Sequence, residues 1–328
     1  MAASAAAGEP LPALAVALIR FARLTLAVAL ALTLAPTLAP ARASAEVRGL
    51  AAQRYPADAV GSTAAVALGE RVFADVRLSG DGTMSCATCH DPERRFSEAR
   101  ARSMGAAGAL LEFNAPSLVN SGYAASFGWS APGLATLEAS IRRPLLAPAE
   151  LGSDARALGT LWRDPEIRAA TQRAFPGSDG LYLDTVVAAL ASYVRSLVDN
   201  DGPLARYLYD DEPLPDAAAR GLRLFVSPRL DCSRCHRGPL LSGPIVTTSR
   251  AVPPRFYRTG VGDVDVAFRA PSLLFVAHTA PYMHDGSLER LEDVVAFYAR
   301  GGGADSELQP FVLTASERAD LLAFLRIL

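Results

Sequence analysis

The chain has 328 residues, enough for two domains with cores of their own, and a formal charge of −2. Its basic residues are all arginine and nowhere dense enough to make a nucleic-acid face, so no nucleic-acid partner is expected. Four cysteines are too few for a disulfide scaffold.

The first segment is unlike the rest. Arg20 and Arg23 precede an apolar run from Leu24 to Leu38, and Ala43-Ser44-Ala45 offers small residues for cleavage before Glu46. This layout predicts a secretory signal peptide over 1–45 and export to the periplasm. No twin arginine is present, which favours export of an unfolded chain. The rival reading is a retained membrane anchor, but Pro36 interrupts the run and it is short for a span of about 20 residues. Cleavage would remove three Arg and one Glu, taking the charge from −2 to −4. No later segment is long and apolar enough to cross a bilayer, so no stable span is expected after cleavage.

Helices follow from periodicity. A short helix carrying Val72 and Phe73 is expected first. Val186, Val187, Leu190, Tyr193, Val194 and Leu197 then form one apolar stripe. Residues 201–216, rich in Pro, Asp and Gly, read as a linker. A second short helix carries Leu224 and Phe225. Ser287 is placed to cap a helix bearing Leu291, Val294, Val295 and Tyr298, which Gly301–Gly303 ends. Thr314 and Glu317 predict a capping box for the last helix, with Leu321, Leu322 and Leu325 inward. No strand pattern is sustained, so the fold class is mostly α.

An internal repeat organises these elements. Ala67, Gly69, Arg71, Phe73, Arg77 and Leu78 recur as Ala219, Gly221, Arg223, Phe225, Arg229 and Leu230, all shifted by 152. The expectation is two cytochrome c-like domains arising from an internal duplication, 46–205 and 206–328.

Each repeat leads into a Cys-x-x-Cys-His pentapeptide, Cys86-Ala87-Thr88-Cys89-His90 and Cys232-Ser233-Arg234-Cys235-His236. The spacing suits two thioether bonds to haem with the imidazole ligating iron below. One copy alone would equally suit a redox dithiol or half a zinc site. Two copies that use every cysteine, in an exported chain, favour two covalently bound c-type haems with His90 and His236 as proximal ligands. Only His278 and His284 remain, both in the second half, so the first half has no spare histidine for the opposite face of its iron.

The segments Arg77-Leu-Ser-Gly-Asp-Gly-Thr-Met-Ser-Cys-Ala-Thr-Cys-His90, Asn114-Ala-Pro-Ser-Leu118, Pro144 through Glu150-Leu151-Gly152, Arg269-Ala-Pro-Ser-Leu273 and Thr279-Ala-Pro-Tyr-Met-His-Asp-Gly-Ser287 resemble the bacterial di-haem cytochrome c peroxidase and MauG superfamily. The likeness runs in order through the chain after residue 45. It implies that Glu150 lies above the peroxide-binding haem and moves a proton between the peroxide oxygens; the alternative is a helix-capping Glu. It implies that Trp129 relays electrons between the haems, the alternative being a core tryptophan. Asn114, Thr279 and Pro281 match positions that give oxygens to a calcium between the domains; the alternative is a turn in which Asn114 bonds backbone. His284 matches an interface histidine that is not an iron ligand. His278 and Trp162 have no family role.

Departures from the family pattern choose a branch. Where peroxidases place a releasable histidine ligand this chain has Ala106, with Met104 two residues off as a substitute. Where they place a methionine ligand for the second iron it has Tyr298, with Met283 as a fallback; the alternative is a core tyrosine with a satisfied hydroxyl. Trp129-Ser-Ala-Pro132 resembles the MbnH group of MauG relatives, which oxidise a tryptophan of a partner protein. Leu274 replaces an arginine expected near a haem propionate.

The resemblance therefore implies a periplasmic oxidoreductase that activates hydrogen peroxide at an open haem and shares oxidising equivalents with a second haem to oxidise a substrate, such as a protein side chain. The alternatives are a cytochrome c peroxidase fed by a small electron-donor protein and a non-enzymatic electron carrier. Electron paramagnetic resonance of the resting ferric protein is expected to show one high-spin and one low-spin haem. Two low-spin signals would speak for the carrier.

Overall fold

The computed structural model describes residues 49–50, 53, 61–130, 134–245, 253–262 and 266–328. The signal segment expected over 1–45 lies outside them. Nine α-helices and one two-stranded ribbon are present among the described residues. The helices are α1 Thr63–Ala74, α2 Leu137–Leu146, α3 Ala155–Arg163, α4 Pro165–Ala174, α5 Leu183–Ser196, α6 Pro203–Tyr209, α7 Asp216–Phe225, α8 Leu291–Ala299 and α9 Ala315–Arg326. The strands β1 Phe256–Tyr257 and β2 Phe268–Arg269 pair antiparallel, Tyr257 opposite Phe268. A mostly helical fold is thus borne out.

Two helix pairs frame the molecule. Ser62 starts α1 by accepting from the Ala65 N–H. Leu68, Val72 and Phe73 then face α5, whose predicted stripe is buried from Val186 to Val194. With Leu145, Leu161 and Ile167 they make one apolar cluster drawn from residues 65–193. The second cluster draws on residues 204–328 and centres on Phe225, Leu291, Val295, Leu321 and Phe324. Each fully buried Leu or Phe contributes about 1.5–3 kcal/mol.

The two pairs cross alike. A Cβ on Gly69 would stand 2.1 Å from the Ala189 carbonyl oxygen, and one on Gly221 would stand 2.1 Å from the Asp320 oxygen. Beside each glycine an aromatic pair closes the crossing: Phe73 with Tyr193 at 5.2 Å and Phe225 with Phe324 at 5.3 Å. Backbone-to-backbone approach this close leaves no room for a side chain, which explains why glycine stands at both repeat positions inside helices.

Some local expectations hold and two do not. Thr314 and Glu317 form the capping box, and Gly301 and Gly302 follow α8 at positive φ. The 201–216 stretch is no plain linker, because Pro203 opens α6, which buries Leu204 and Ala205. Turn-type composition was outweighed there by an apolar face that the second cluster takes up. The expected 205/206 boundary consequently falls inside α6. Ser287 does not cap α8; its N–H is taken by the Asp285 carboxylate in the preceding turn, and the helix begins at Leu291 after Arg290.

Substituting Gly69→Ala or Gly221→Ala pits a helix-propensity gain of up to about 1 kcal/mol against overpacking of about 1–3 kcal/mol. A 2.1 Å clash with main chain cannot be relieved by a rotamer change, so both variants are expected to be net destabilised in chemical unfolding.

Candidate functional site

Each Cys-x-x-Cys-His folds into a single tight turn, over Cys86–Thr88 and over Cys232–Arg234. The His90 N–H donates to the Cys86 carbonyl at 2.9 Å and the His236 N–H to the Cys232 carbonyl at 3.0 Å. Cys86, Cys89, His90, Cys232, Cys235 and His236 all line one cavity of about 940 Å³.

The two imidazoles are held by the same device. His90 Nδ1 lies 3.0 Å from the Phe96 carbonyl, and His236 Nδ1 lies 3.0 Å from that of Leu241. A carbonyl only accepts, so each Nδ1 carries the proton and each Nε2 keeps a lone pair for a metal. Phe96 and Leu241 adopt φ of 56° and 48°, a left-handed conformation that costs bulky residues about 1–3 kcal/mol. The Pro116 and Pro271 carbonyls also face the rings, while burial, the larger effect, pulls both imidazole pKa values down. The neutral rings are thus ready ligands. Ser117 and Ser272 tie the two Ala-Pro-Ser-Leu segments to these turns, donating to the Arg95 and Leu240 carbonyls at 2.6 and 2.8 Å.

The thiols argue against the dithiol and zinc readings. All four are free, and burial pushes Cys86 and Cys232 up to about 12, Cys89 up to about 11, and Cys235 also upward. A reactive dithiol needs shifts in the other direction. Nor do three or more metal-ligating His, Cys, Asp or Glu side chains converge anywhere among the described residues.

Glu150 lines the cavity on the side of the first motif. It sits in a turn after α2, with its N–H bonded to the Ala147 carbonyl at 2.9 Å. It caps no helix: α3 begins at Ala155 and is capped by Asp154. Burial raises the Glu150 pKa, and Arg143 partly opposes this. The nearby loop puts Ala106 in a turn bonded to the Ala149 carbonyl at 3.1 Å. Met104 is exposed and faces away from the cavity lining. Among the described residues, the cavity's histidines are His90, His236 and His284.

Tyr298 faces the second motif from α8. Burial first, then the Cys235 and Cys232 thiols, push its phenol up to about 12. No hydrogen bond satisfies its hydroxyl among the described residues, unlike a settled core tyrosine. The ring keeps some accessible surface because it lines the cavity. Met283 also lines the cavity, and its carbonyl accepts from Asn114 Nδ2 at 2.9 Å.

Trp129 lines the cavity, its Nε1–H donating to the Asn114 carbonyl at 3.0 Å. His284 is buried, stacked on Phe268 at 3.9 Å and 6.5 Å from the Trp129 ring. Asn114 Oδ1 is buried and has no partner, and Thr279 and Pro281 line the same cavity. Trp162 packs on the first apolar cluster and His278 is exposed, so neither joins the site.

Sequence reasoning missed three cavity residues. Glu98 is buried and accepts from the Ala115 N–H at 2.7 Å and from Ser103 Oγ. Tyr257 has a buried, unpartnered hydroxyl. Arg269 enters the wall five residues before Leu274, where an arginine had been expected. Only Arg269 had a signal, its place at the head of Ala-Pro-Ser-Leu.

Two paired attachment turns opening on one cavity define a di-haem c-type protein. The residues fit the groups: free thiols, oriented imidazoles and shared space. The family model for di-haem cytochrome c peroxidase matches residues 63–213. Over 281 residues the chain is 34% identical to the methylamine utilization protein MauG of Methylorubrum extorquens, covering 80% of this chain and 77% of that one. It is 33% identical over 312 residues to the cytochrome-c peroxidase IdrP2 of Denitromonas iodatirespirans, covering 84% of each. A crystal structure of a MauG-like protein associated with microbial copper homeostasis superposes with a TM-score of 0.79 at 33% identity, covering 85% of this chain and 93% of the other. The chain belongs to the di-haem cytochrome c peroxidase and MauG family and is a haem-dependent oxidoreductase of the peroxidase type.

Replacing Cys86 and Cys89 together by Ala is expected to leave one covalent haem, on Cys232 and Cys235, and the converse double replacement to leave the other. Intact-mass measurement of the exported protein reads this directly.

Proposed function

We propose that this protein is a periplasmic MauG/MbnH-like oxidoreductase that takes oxidising equivalents from hydrogen peroxide and delivers them to a substrate, such as a side chain of a partner protein. The observation that carries the reading is the asymmetry of the two sites. A half-buried Tyr298 phenol with no hydrogen bond among the described residues faces the second motif, while the first half offers Glu150 and no histidine besides His90. In this reading residues 46–205 and 206–328 are duplicated haem domains, which the matched glycine crossings support.

The bound haems would supply two redox centres that accept and pass oxidising equivalents. Cys86, Cys89 and His90 would hold one, and Cys232, Cys235, His236 and Tyr298 the other. Glu150 moves the proton. Its raised pKa lets the carboxylate oxygen take a proton from one peroxide oxygen and return it to the other, worth about 10²–10⁴ in rate. Tyr298 offers an oxygen donor, which favours higher oxidation states where a thioether would favour the ferrous state. Trp129, held at the cavity by its bond to Asn114, would offer an oxidisable indole to relay electrons between the haems. Asn114 Oδ1, with the Thr279 and Pro281 carbonyls, would hold a calcium, since oxygen donors suit that hard cation.

The likeness to a cytochrome-c peroxidase favours a second reading, removal of peroxide with electrons from a donor protein. The two readings part at Tyr298. The resting ferric protein is expected to respond to peroxide spectrally without prior reduction. Glu150→Gln should slow that response about 10²–10⁴-fold with both haems retained. The rate should fall as pH drops through the raised Glu150 pKa, because the base form is needed, and this dependence should vanish in E150Q. Tyr298→Met should raise one midpoint potential. A wild-type protein inert to peroxide until reduced, or a Tyr298→Phe variant with unchanged potentials, would sink the reading.

A further inference from the structure

One cation in the cavity wall has no part in the chemistry above. Arg269 ends β2, just before Ala270-Pro271, whose carbonyl faces His236. Its side chain crosses to the loop that carries Trp129. There Nε donates to the Gly128 carbonyl at 2.6 Å, and the guanidinium carbon lies 6.0 Å over the Trp129 ring. The Arg269 N–H adds a bond to the Trp129 carbonyl at 3.0 Å. Asn114, which heads the other Ala-Pro-Ser-Leu segment, reaches across in the same way to Met283.

Among the described residues Arg269 has no anion, as is also true of Arg255 in the same wall. Arg195 meets Glu138 at 2.6 Å and Arg220 meets Asp320 at 2.7 Å. Arg269 meets only a neutral carbonyl and an aromatic face among the described residues. Burial alone pulls its pKa down to about 10, with no carboxylate opposing. The residue is half-buried in the wall, and a guanidinium partly withdrawn from water without a counter-ion is disfavoured. Glu98, Glu112, Glu150 and Asp231 line the same cavity, yet none pairs with it. With Nε committed to Gly128, the two Nη groups remain as an end-on fork whose geometry matches a carboxylate.

We propose that Arg269 is the anchor for a haem propionate, binding its carboxylate where the two haem sites meet. The family's two haems bring carboxylates into a cavity whose wall already holds an unmatched cation. Arg269 thereby stands in for the arginine lacking at Leu274. The proposal rests on haem loading and not on the choice between peroxidase and side-chain oxidation, so the two can fail separately.

The test uses the exported, haem-loaded protein. Arg269→Gln and Arg269→Lys are checked for two covalent haems by intact mass, and both midpoint potentials are then measured by spectroelectrochemical titration at several pH values. In R269Q one midpoint should move to lower potential and become more pH-dependent, because the propionate charge is no longer balanced. R269K, keeping charge but losing the fork, should fall between R269Q and wild type. An R269Q protein with two haems and both midpoints unchanged would overturn the assignment and leave Arg269 as a brace for the Trp129 loop. If R269Q does not load haem, a crystal structure of the loaded wild type decides. An Nη within about 3.2 Å of a propionate oxygen supports the anchor, and a gap beyond hydrogen-bond reach overturns it.

Discussion

Everything in this molecule depends on how two imidazoles are aimed. Each is gripped at Nδ1 by a carbonyl 3.0 Å away, on a residue forced to positive φ. That grip fixes the tautomer and leaves Nε2 free for a metal. Without it, a histidine beside two thiols is a flexible ligand among many. With it, the ring, both sulfurs and the cavity form a seat of defined orientation. The strain stored at Phe96 and Leu241 is offset by the helix pairs that hold the turns in place.

Those helix pairs explain why the seat occurs twice. The glycine crossing, the aromatic pair beside it, the attachment turn and the Ala-Pro-Ser-Leu brace recur in both halves with nearly equal distances. Such agreement between distant stretches of chain is what a repeated structural unit produces, because the close helix contact tolerates little variation. The halves also differ in what they present to the cavity. One presents a carboxyl raised by burial, the other a phenol raised by burial and by neighbouring thiols.

Between the halves lies a polar and aromatic layer: Trp129, His284, Phe268, Asn114 and Arg269. Among the described residues its members are joined by main-chain acceptors and not by ion pairs, Trp129 to Asn114 within the first half and Asn114 to Met283 and Arg269 to Gly128 across the halves. Main-chain carbonyls cannot be neutralised or lost by substitution, so the layer keeps its geometry while leaving Asn114 Oδ1 and the Arg269 fork free for other groups. A buried acceptor without a partner, and a half-buried cation whose Nη fork meets no carboxylate among the described residues, make this layer the part of the protein most shaped around what it carries.

Much was legible from the order of residues. The attachment pentapeptides, the shift of 152, the helical stripes and the Thr314 capping box depend on spacing along the chain, and spacing is a local property. The helix α6 escaped notice because composition signals a turn, and only the second apolar cluster rewards burying Leu204. Ser287 could not be excluded as a cap without knowing that the helix begins only at Leu291, after Arg290. Glu98, Tyr257 and Arg269 were hidden for a related reason, since each matters through neighbours more than a dozen residues away. By itself, then, the amino-acid order determined the two Cys-x-x-Cys-His pentapeptides, their spacing and the class of fold. Tertiary structure alone decided which carboxyl, phenol and guanidinium are stripped of water and turned toward the cavity, because desolvation and missing partners exist only once distant segments have closed around them.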